Sequence, residues 1–124
     1  MSDVISMTET GELQEMGKSI YAVASIGPAK ESRVSDQAAR APFYLLFDDS
    51  GNILETLQNP VSAATGRAAP QAVGFLAGRD IHALLAERFG QKMLRELDSI
   101  HVDAVEASGS VESAIGLFLE SSET

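Results

Sequence analysis

Apolar residues along this chain form five short runs and three periodic segments, separated by polar stretches rich in Gly, Ser and Pro. Short apolar runs predict β-strands, here at 20–25, 42–47, 53–57, 81–86 and 102–105. The first run, Ile20–Ser25, does not alternate with polar residues, which predicts a strand covered on both faces. The segment Asp48–Asn52 predicts a tight hairpin turn between the second and third strands.

The three periodic segments predict helices, because their apolar residues recur at spacings of three and four. Pro70 suits the first position of the first helix, Gly90 opens the second, and Ser110 can cap the third. The residues expected to face the core are Ala72, Val73, Leu76, Ala77, Met93, Leu94, Leu97, Ile100, Val111, Ala114, Ile115, Phe118 and Leu119.

The resulting element order is β-β-β-α-β-α-β-α, which predicts an α/β fold with a five-stranded mixed sheet and helices on both faces. If the first strand points up, the second points down and the other three point up. The long connections then gather at one edge of the sheet, at 26–41, 58–69, 86–90 and 106–110. The amino termini of all three helices are expected at this same edge.

The first 18 residues differ in composition from the rest of the chain. They carry Asp3, Glu9, Glu12 and Glu15 and few apolar groups, which predicts a flexible acidic extension at 1–18. Residues 19–121 are expected to form a single α/β domain that carries the binding site. No run approaches the ~20 apolar residues that span a membrane, and no leader peptide is visible. With no Cys in the chain, we expect a cytoplasmic protein.

The charge distribution favours a small anionic ligand. The formal net charge of −9 argues against nucleic acid, whose binding depends on neutralising phosphates. Six of the nine basic residues nevertheless lie in the loops expected at the edge where the helices begin. They are Lys30, Arg33, Arg40, Arg67, Arg88 and Lys92. Positive charge concentrated on an acidic protein is typical of an anion pocket.

Open α/β sheets bind ligands at the carboxyl ends of their parallel strands, and that edge carries several glycines and serines here. Gly90 and Gly109 allow a ligand to approach the backbone, and the helices that follow offer free N–H groups. The candidate cofactor-binding residues are Ser25, Gly27, Arg40, Arg67, Arg88, Phe89, Gly90, Lys92, Gly109 and Ser110.

Catalysis and direct metal ligation have little support in the sequence. His82 and His101 are expected at the opposite edge, and Met93 lies on the apolar stripe of a helix. The serines at the binding edge have no nearby histidine to act as a base. The first strand lacks the carboxylate that two-metal nuclease sheets require, which disfavours a metal-dependent hydrolase. We therefore assign no catalytic residue and no metal ligand.

Short motifs in these loops resemble the dinitrogenase iron–molybdenum cofactor biosynthesis family over nearly the whole predicted domain. The motifs are Ala22–Ser25, Val34-Ser35, Arg40–Pro42, Asn59-Pro60, Arg88–Gly90 and Gly109–Val111. The resemblance implies a ribonuclease-H-like three-layer fold. It also implies that the protein binds, carries or inserts a molybdenum-containing cluster and catalyses no reaction.

One departure from the family pattern affects the mode of binding. Many members have His-Phe-Gly where this chain has Gln37, Ala38 and Ala39, and that histidine is a proposed cluster ligand. The family includes orange proteins, which hold an anionic molybdenum–copper sulfide cluster without covalent attachment. The arginine-rich loops of this chain favour such a cluster.

Two alternatives stay open at this point. The chain could bind the iron–molybdenum cofactor and insert it into a recipient protein, or it could be a partner-binding module that has lost cluster function. We expect a monomer.

Overall fold

Five strands and three helices make up the part of the chain described by a computed structural model, residues 19–60 and 68–122. In chain order they are β1 (Ile20–Ser25), β2 (Phe43–Asp48), β3 (Ile53–Gln58), α1 (Ala68–Ala77), β4 (Ala83–Ala86), α2 (Gln91–Ser99), β5 (Asp103–Glu106) and α3 (Val111–Ser122). The predicted acidic extension at 1–18 lies outside the described residues, as does 61–67 in the loop after β3.

The strands form one mixed sheet in the order β3-β2-β1-β4-β5. β1 pairs antiparallel with β2 and parallel with β4, and β5 continues the sheet parallel to β4. The turn between β2 and β3 places Gly51 at φ 86°, a conformation that favours glycine. The predicted α/β class and mixed sheet are confirmed, and the carboxyl ends of β1, β4 and β5 share one edge.

Helices cover both faces of the sheet, which gives three layers as predicted. Ala22 of β1 and Leu84 of β4 pack beneath α1 and α2, while Val23 and Leu85 face α3. All four side chains are fully buried. Burying one leucine side chain contributes about 1.5–3 kcal/mol to the free energy of folding. Because β1 and β4 are covered on both faces, apolar residues at successive positions in these strands all gain this stabilisation. The narrower ribonuclease-H-like label stays a prediction.

Three local features differ from the prediction. Helix α1 begins at Ala68, so Pro70 is its third residue, where an N–H would still lack an intrahelical acceptor. Strand β4 begins at Ala83, two residues later than predicted. Leu94 and Ala77 were predicted to face the core, and both predictions are wrong: Leu94 is 43% exposed, and Ala77, the last residue of α1, is exposed as well. The buried stripe of α2 is narrow, formed by Met93 and Leu97, and Leu94 lies beside it.

The amino terminus of α3 has its hydrogen bonds completed within the protein. The Ser113 N–H donates to Ser110 Oγ over 3.1 Å, which confirms the predicted cap. The Val111 and Glu112 N–H groups donate to carbonyls of the loop 26–34, over 2.8 and 2.9 Å. This loop therefore closes the end of the helix.

Ser110→Ala should lower the free energy of unfolding by about 1 kcal/mol, because the Ser113 N–H loses its acceptor. Urea denaturation followed by circular dichroism measures the loss. Ser113→Ala is the matched control: its side chain is exposed in the same helical turn and caps nothing. Equal destabilisation by the two variants would contradict the capping role.

Candidate functional site

A basic cavity opens at the sheet edge where the helices begin. It has a volume of about 410 Å³ and lies between the loop after β1 and the amino terminus of α2. Its lining residues are Asp36, Gln37, Ala38, Ala39, Arg40, Ala69, Arg88, Gly90, Lys92 and Met93. We refer to this space as the basic cavity. Three of its side chains are cationic and one is a carboxylate.

Backbone hydrogen bonds hold the first half of the cavity loop against β1 and β4. The Ser35 N–H donates to the Ala24 carbonyl over 2.8 Å, and the Glu87 N–H donates to the Ser35 carbonyl over 3.0 Å. The Ala38 N–H then donates to the Arg88 carbonyl over 3.2 Å. Because these bonds tie the loop to the residues that follow β4, Arg88 is held beside the loop that carries Arg40.

Side chains hold the second half of the same loop. The Asn59 Nδ2 donates to the Ala41 carbonyl over 2.8 Å and to the Ala39 carbonyl over 3.1 Å. The Tyr44 hydroxyl donates to the Ala38 carbonyl. Asn59 and Tyr44 are both buried, so these bonds satisfy polar groups that have little access to water.

The amino terminus of α2 is built differently from that of α3. Gly90 is its N-cap residue, with φ −72° and ψ 162°, and provides no side-chain hydrogen bond. Within the described residues, the N–H groups of Gln91, Lys92 and Met93 donate no hydrogen bond to the protein. Unsatisfied N–H groups and the positive end of the helix dipole favour an anion at this position.

The charged side chains of the basic cavity are accessible to solvent. Arg88 and Lys92 are exposed, and Arg40 is half-buried. Among residues 19–60 and 68–122, the structure has no ion pair that involves Arg88 or Lys92. Asp36 also lines the cavity and opposes an anion, but the three cations outnumber it.

Eight of the ten predicted binding residues fall into two sets, and Phe89 and Arg67 are described separately. Arg40, Arg88, Gly90 and Lys92 line the basic cavity together. Ser25, Gly27, Gly109 and Ser110 form a separate junction between the loop 26–34 and α3. Phe89 packs against the core, and Arg67 lies outside the described residues. We call the second set the junction residues.

The polar groups of the junction residues bond to the protein itself. The Ser25 hydroxyl donates to the Gly27 carbonyl over 2.6 Å. The Val34 N–H donates to the Gly109 carbonyl over 2.8 Å, and Ser110 caps α3. Lys30 and Arg33 belong to the loop 26–34 and do not line the basic cavity. The basic loops therefore share an edge but do not form one pocket.

Sequence reasoning missed the parts of the site that act through hydrogen bonds. Asn59 and Tyr44 were recognised only as a motif and a strand residue, although they hold the cavity loop. Arg95 was also missed: with Pro70, Lys92 and Glu96 it lines a neighbouring cavity of about 320 Å³. The spacing of Lys92 and Arg95, one helical turn apart, was the available signal.

Both histidines lie at the opposite edge of the sheet. His82 and His101 line a cavity of about 490 Å³, together with Asp80 and residues at the carboxyl-terminal ends of α1 and α2. Within the described residues, no three His, Asp or Glu side chains converge as a metal site would require. No helix in that part of the chain is long and apolar enough to span a membrane.

Comparisons with known proteins agree with the fold. The chain matches the family described as Dinitrogenase iron-molybdenum cofactor over residues 18–121. A candidate NifB protein from Thermotoga is 31% identical, with a TM-score of 0.70 covering 82% of this chain and 88% of its own. No curated protein matches the chain significantly.

Two further structures share the fold at lower identity. The apo form of the orange protein from Desulfovibrio gigas is 22% identical, with a TM-score of 0.74 covering 82% of this chain and 88% of its own. A candidate dinitrogenase from Methanocaldococcus jannaschii is 12% identical, with a TM-score of 0.61 and the same coverages of 82% and 88%. At these identities the likeness is one of fold alone.

Alkaline pH should destabilise the protein through Tyr44. Burial raises the pKa of Tyr44 well above its ordinary value of 10.0. As the pH rises, the Tyr44 hydroxyl therefore loses its proton in the unfolded state before it does so in the folded state. The contribution of Tyr44 to the free energy of unfolding is complete below about pH 10 and falls as the pH rises further. Denaturation in urea from pH 8 to 11 measures this slope, and Tyr44→Phe should reduce it. An unchanged slope in Tyr44→Phe would contradict the assignment.

Proposed function

Because the chain belongs to the dinitrogenase iron–molybdenum cofactor family, we propose that it is a non-enzymatic carrier of an anionic molybdenum-containing sulfide cluster. The family resemblance read from the loop motifs is confirmed, and membership makes this a metallocluster-associated protein. The cluster is cargo that the protein holds and releases. We place it in the basic cavity.

The observation that carries this proposal is the pairing of three cations with an uncapped helix. Arg40, Arg88 and Lys92 line the same cavity, and Gly90 leaves the amino terminus of α2 without a side-chain cap. Guanidinium and ammonium groups donate strong charge-assisted hydrogen bonds to anions. The N–H groups of α2 add donors that need no side-chain movement.

The chemistry of the cavity wall favours charge and hydrogen bonding over direct metal ligation. The family histidine is replaced by Gln37, and Ala38 and Ala39 follow it along the wall. A metal–sulfide cluster brings its own sulfide ligands, so it needs no cysteine or histidine from the protein. The junction residues, whose polar groups bond internally, support this edge without contacting the cargo.

A sulfide-covered anion suits this wall better than a hard oxyanion does. Ala38, Ala39, Ala69 and Met93 add apolar groups to the lining of the cavity beside its cations. The charge on a thiometalate is spread over large sulfur atoms, so moving it against apolar groups costs less hydration than moving an oxyanion. We therefore propose a molybdenum–copper sulfide cluster, with the iron–molybdenum cofactor as the alternative cargo.

Reconstitution with tetrathiomolybdate and Cu(I) tests the proposal. The wild-type protein should retain a visible chromophore through gel filtration, with molybdenum and copper in the protein fraction by elemental analysis. A parallel reconstitution with ferrous iron in place of copper shows whether retention of the chromophore requires copper. Absence of a co-eluting chromophore under both conditions would reject the cluster-carrier function.

Charge reversal in the basic cavity should weaken retention. Arg40→Glu with Arg88→Glu removes two charge-assisted contacts of about 1.5–3 kcal/mol each, so the tetrathiomolybdate Kd should rise roughly a hundredfold or more. Lys30→Glu with Arg33→Glu is the matched control, because it changes the net charge equally in a loop outside the cavity. Equal weakening in both double variants would show a nonspecific charge effect and no pocket.

Gly90→Asp should change stability and binding in opposite directions. Gly90 has an extended backbone, and an added Cβ would meet no atom within 4 Å, so a side chain fits. Aspartate can cap α2 and raise the free energy of unfolding by a few tenths of a kcal/mol, while its charge occupies the anion position. Denaturation and tetrathiomolybdate titration measure the two effects.

Gly90→Ser separates capping from charge in this experiment. Serine offers the same cap without a negative charge, so it should keep more affinity than aspartate does. Full affinity in Gly90→Asp would argue that no anion lies at the amino terminus of α2.

A further inference from the structure

A buried carboxamide lies behind the wall of the basic cavity. Asn59 is 2% exposed and comes directly after β3. Its Nδ2 lies 3.1 Å from the Ala39 carbonyl, 2.8 Å from the Ala41 carbonyl and 3.4 Å from the Tyr44 hydroxyl. Its own N–H donates to the Pro42 carbonyl over 2.9 Å.

The two carbonyls that accept from Asn59 flank Arg40 on either side. One nitrogen thus holds the backbone both before and after this residue. The loop from Ser35 to Ala41 belongs to no strand or helix, so its path depends on such individual bonds. Arg40 is also the cation of the cavity that is half-buried, which leaves its side chain less room than Arg88 or Lys92 has.

We propose that Asn59 is a positioning residue of the basic cavity, which directs Arg40 toward the same space as Arg88 and Lys92. The inference rests on the proposed function and adds to it a residue that never touches the cargo. Asn59 acts through the backbone at Ala39 and Ala41, and Tyr44 supports it by donating to Ala38.

The position of Asn59 suits a short side chain whose nitrogen carries two hydrogens. The carbonyls of Ala39 and Ala41 both need a hydrogen, and an amide nitrogen carries two. Aspartate would face them with an acceptor, and alanine would leave the buried Ala41 carbonyl and the partly buried Ala39 carbonyl without this partner. A purely structural role would stabilise the protein without any special link to Arg40, and that difference can be measured.

A double-mutant cycle between Asn59→Ala and Arg40→Ala tests the link. The probe is tetrathiomolybdate, titrated into the full-length protein under conditions in which each variant is folded. If Asn59 acts through Arg40, each single variant should weaken binding about three- to tenfold, and the double variant should bind no more weakly than Arg40→Ala alone. Additive losses would overturn the proposal.

A matched core variant separates positioning from general stability. Ile115→Ala removes a buried side chain of α3 on the other face of the sheet, remote from the cavity loop. It should lower the free energy of unfolding and leave tetrathiomolybdate affinity unchanged. A loss of affinity in Ile115→Ala equal to that in Asn59→Ala would also overturn the proposal. If Asn59→Ala does not fold, Asn59→Ser, which retains one donor, takes its place.

Amide hydrogen exchange gives a readout that needs no ligand. The Ala38 N–H, bonded to the Arg88 carbonyl, should exchange faster in Asn59→Ala than in Ile115→Ala of similar stability. If the wild-type protein binds no tetrathiomolybdate, the proposed function fails, and this exchange difference alone decides whether Asn59 positions the loop. Equal exchange rates in the two variants would reject the positioning role.

Discussion

The candidate site depends on the buried Asn59 carboxamide. The cavity loop has no strand or helix of its own, so its backbone is held by bonds from its neighbours. Backbone groups near the ends of β1 and β4 hold its first half, and Asn59 with Tyr44 holds its second half. These bonds hold the backbone on both sides of Arg40, so its side chain belongs to the lining of the basic cavity.

The amino termini of α2 and α3 lie at the same edge of the sheet, but they differ in how their first N–H groups are hydrogen-bonded. At α3, Ser110 and the loop 26–34 use the first N–H groups, and the helix is complete as a structural element. At α2, Gly90 supplies no cap and three cations surround the end of the helix. On an acidic protein, an open terminus of this kind concentrates positive potential where a small anion can reach it.

Hydrophobic periodicity predicted the order of strands and helices along the chain and the three layers, because both depend on which faces are buried, and strand and helix periods report that directly. The same periodicity wrongly predicted that Leu94 is buried, because the spacing of apolar residues does not show how wide a stripe of α2 its neighbours cover. The convergence of Arg40 and Arg88 was predictable from strand direction. The separation of the junction residues was not, because it depends on backbone bonds between the loop 26–34 and α3. Asn59 was visible only as a motif, since its function depends on three partners distant in sequence.

A carrier must hold its cargo firmly and still release it, and the mode of binding sets this balance. A histidine or cysteine ligand would form a bond to the metal that a recipient has to break by ligand exchange. In the proposed carrier, charge-assisted hydrogen bonds from the exposed Arg88 and Lys92 can be replaced one at a time by those of a partner or by salt. The rigid part of the site is then the buried backbone clamp at Asn59, and the exchangeable part is the exposed cationic rim. In the proposed carrier, Gln37 at the position where many family members have a histidine favours release, because it leaves this loop without an imidazole ligand for the metal.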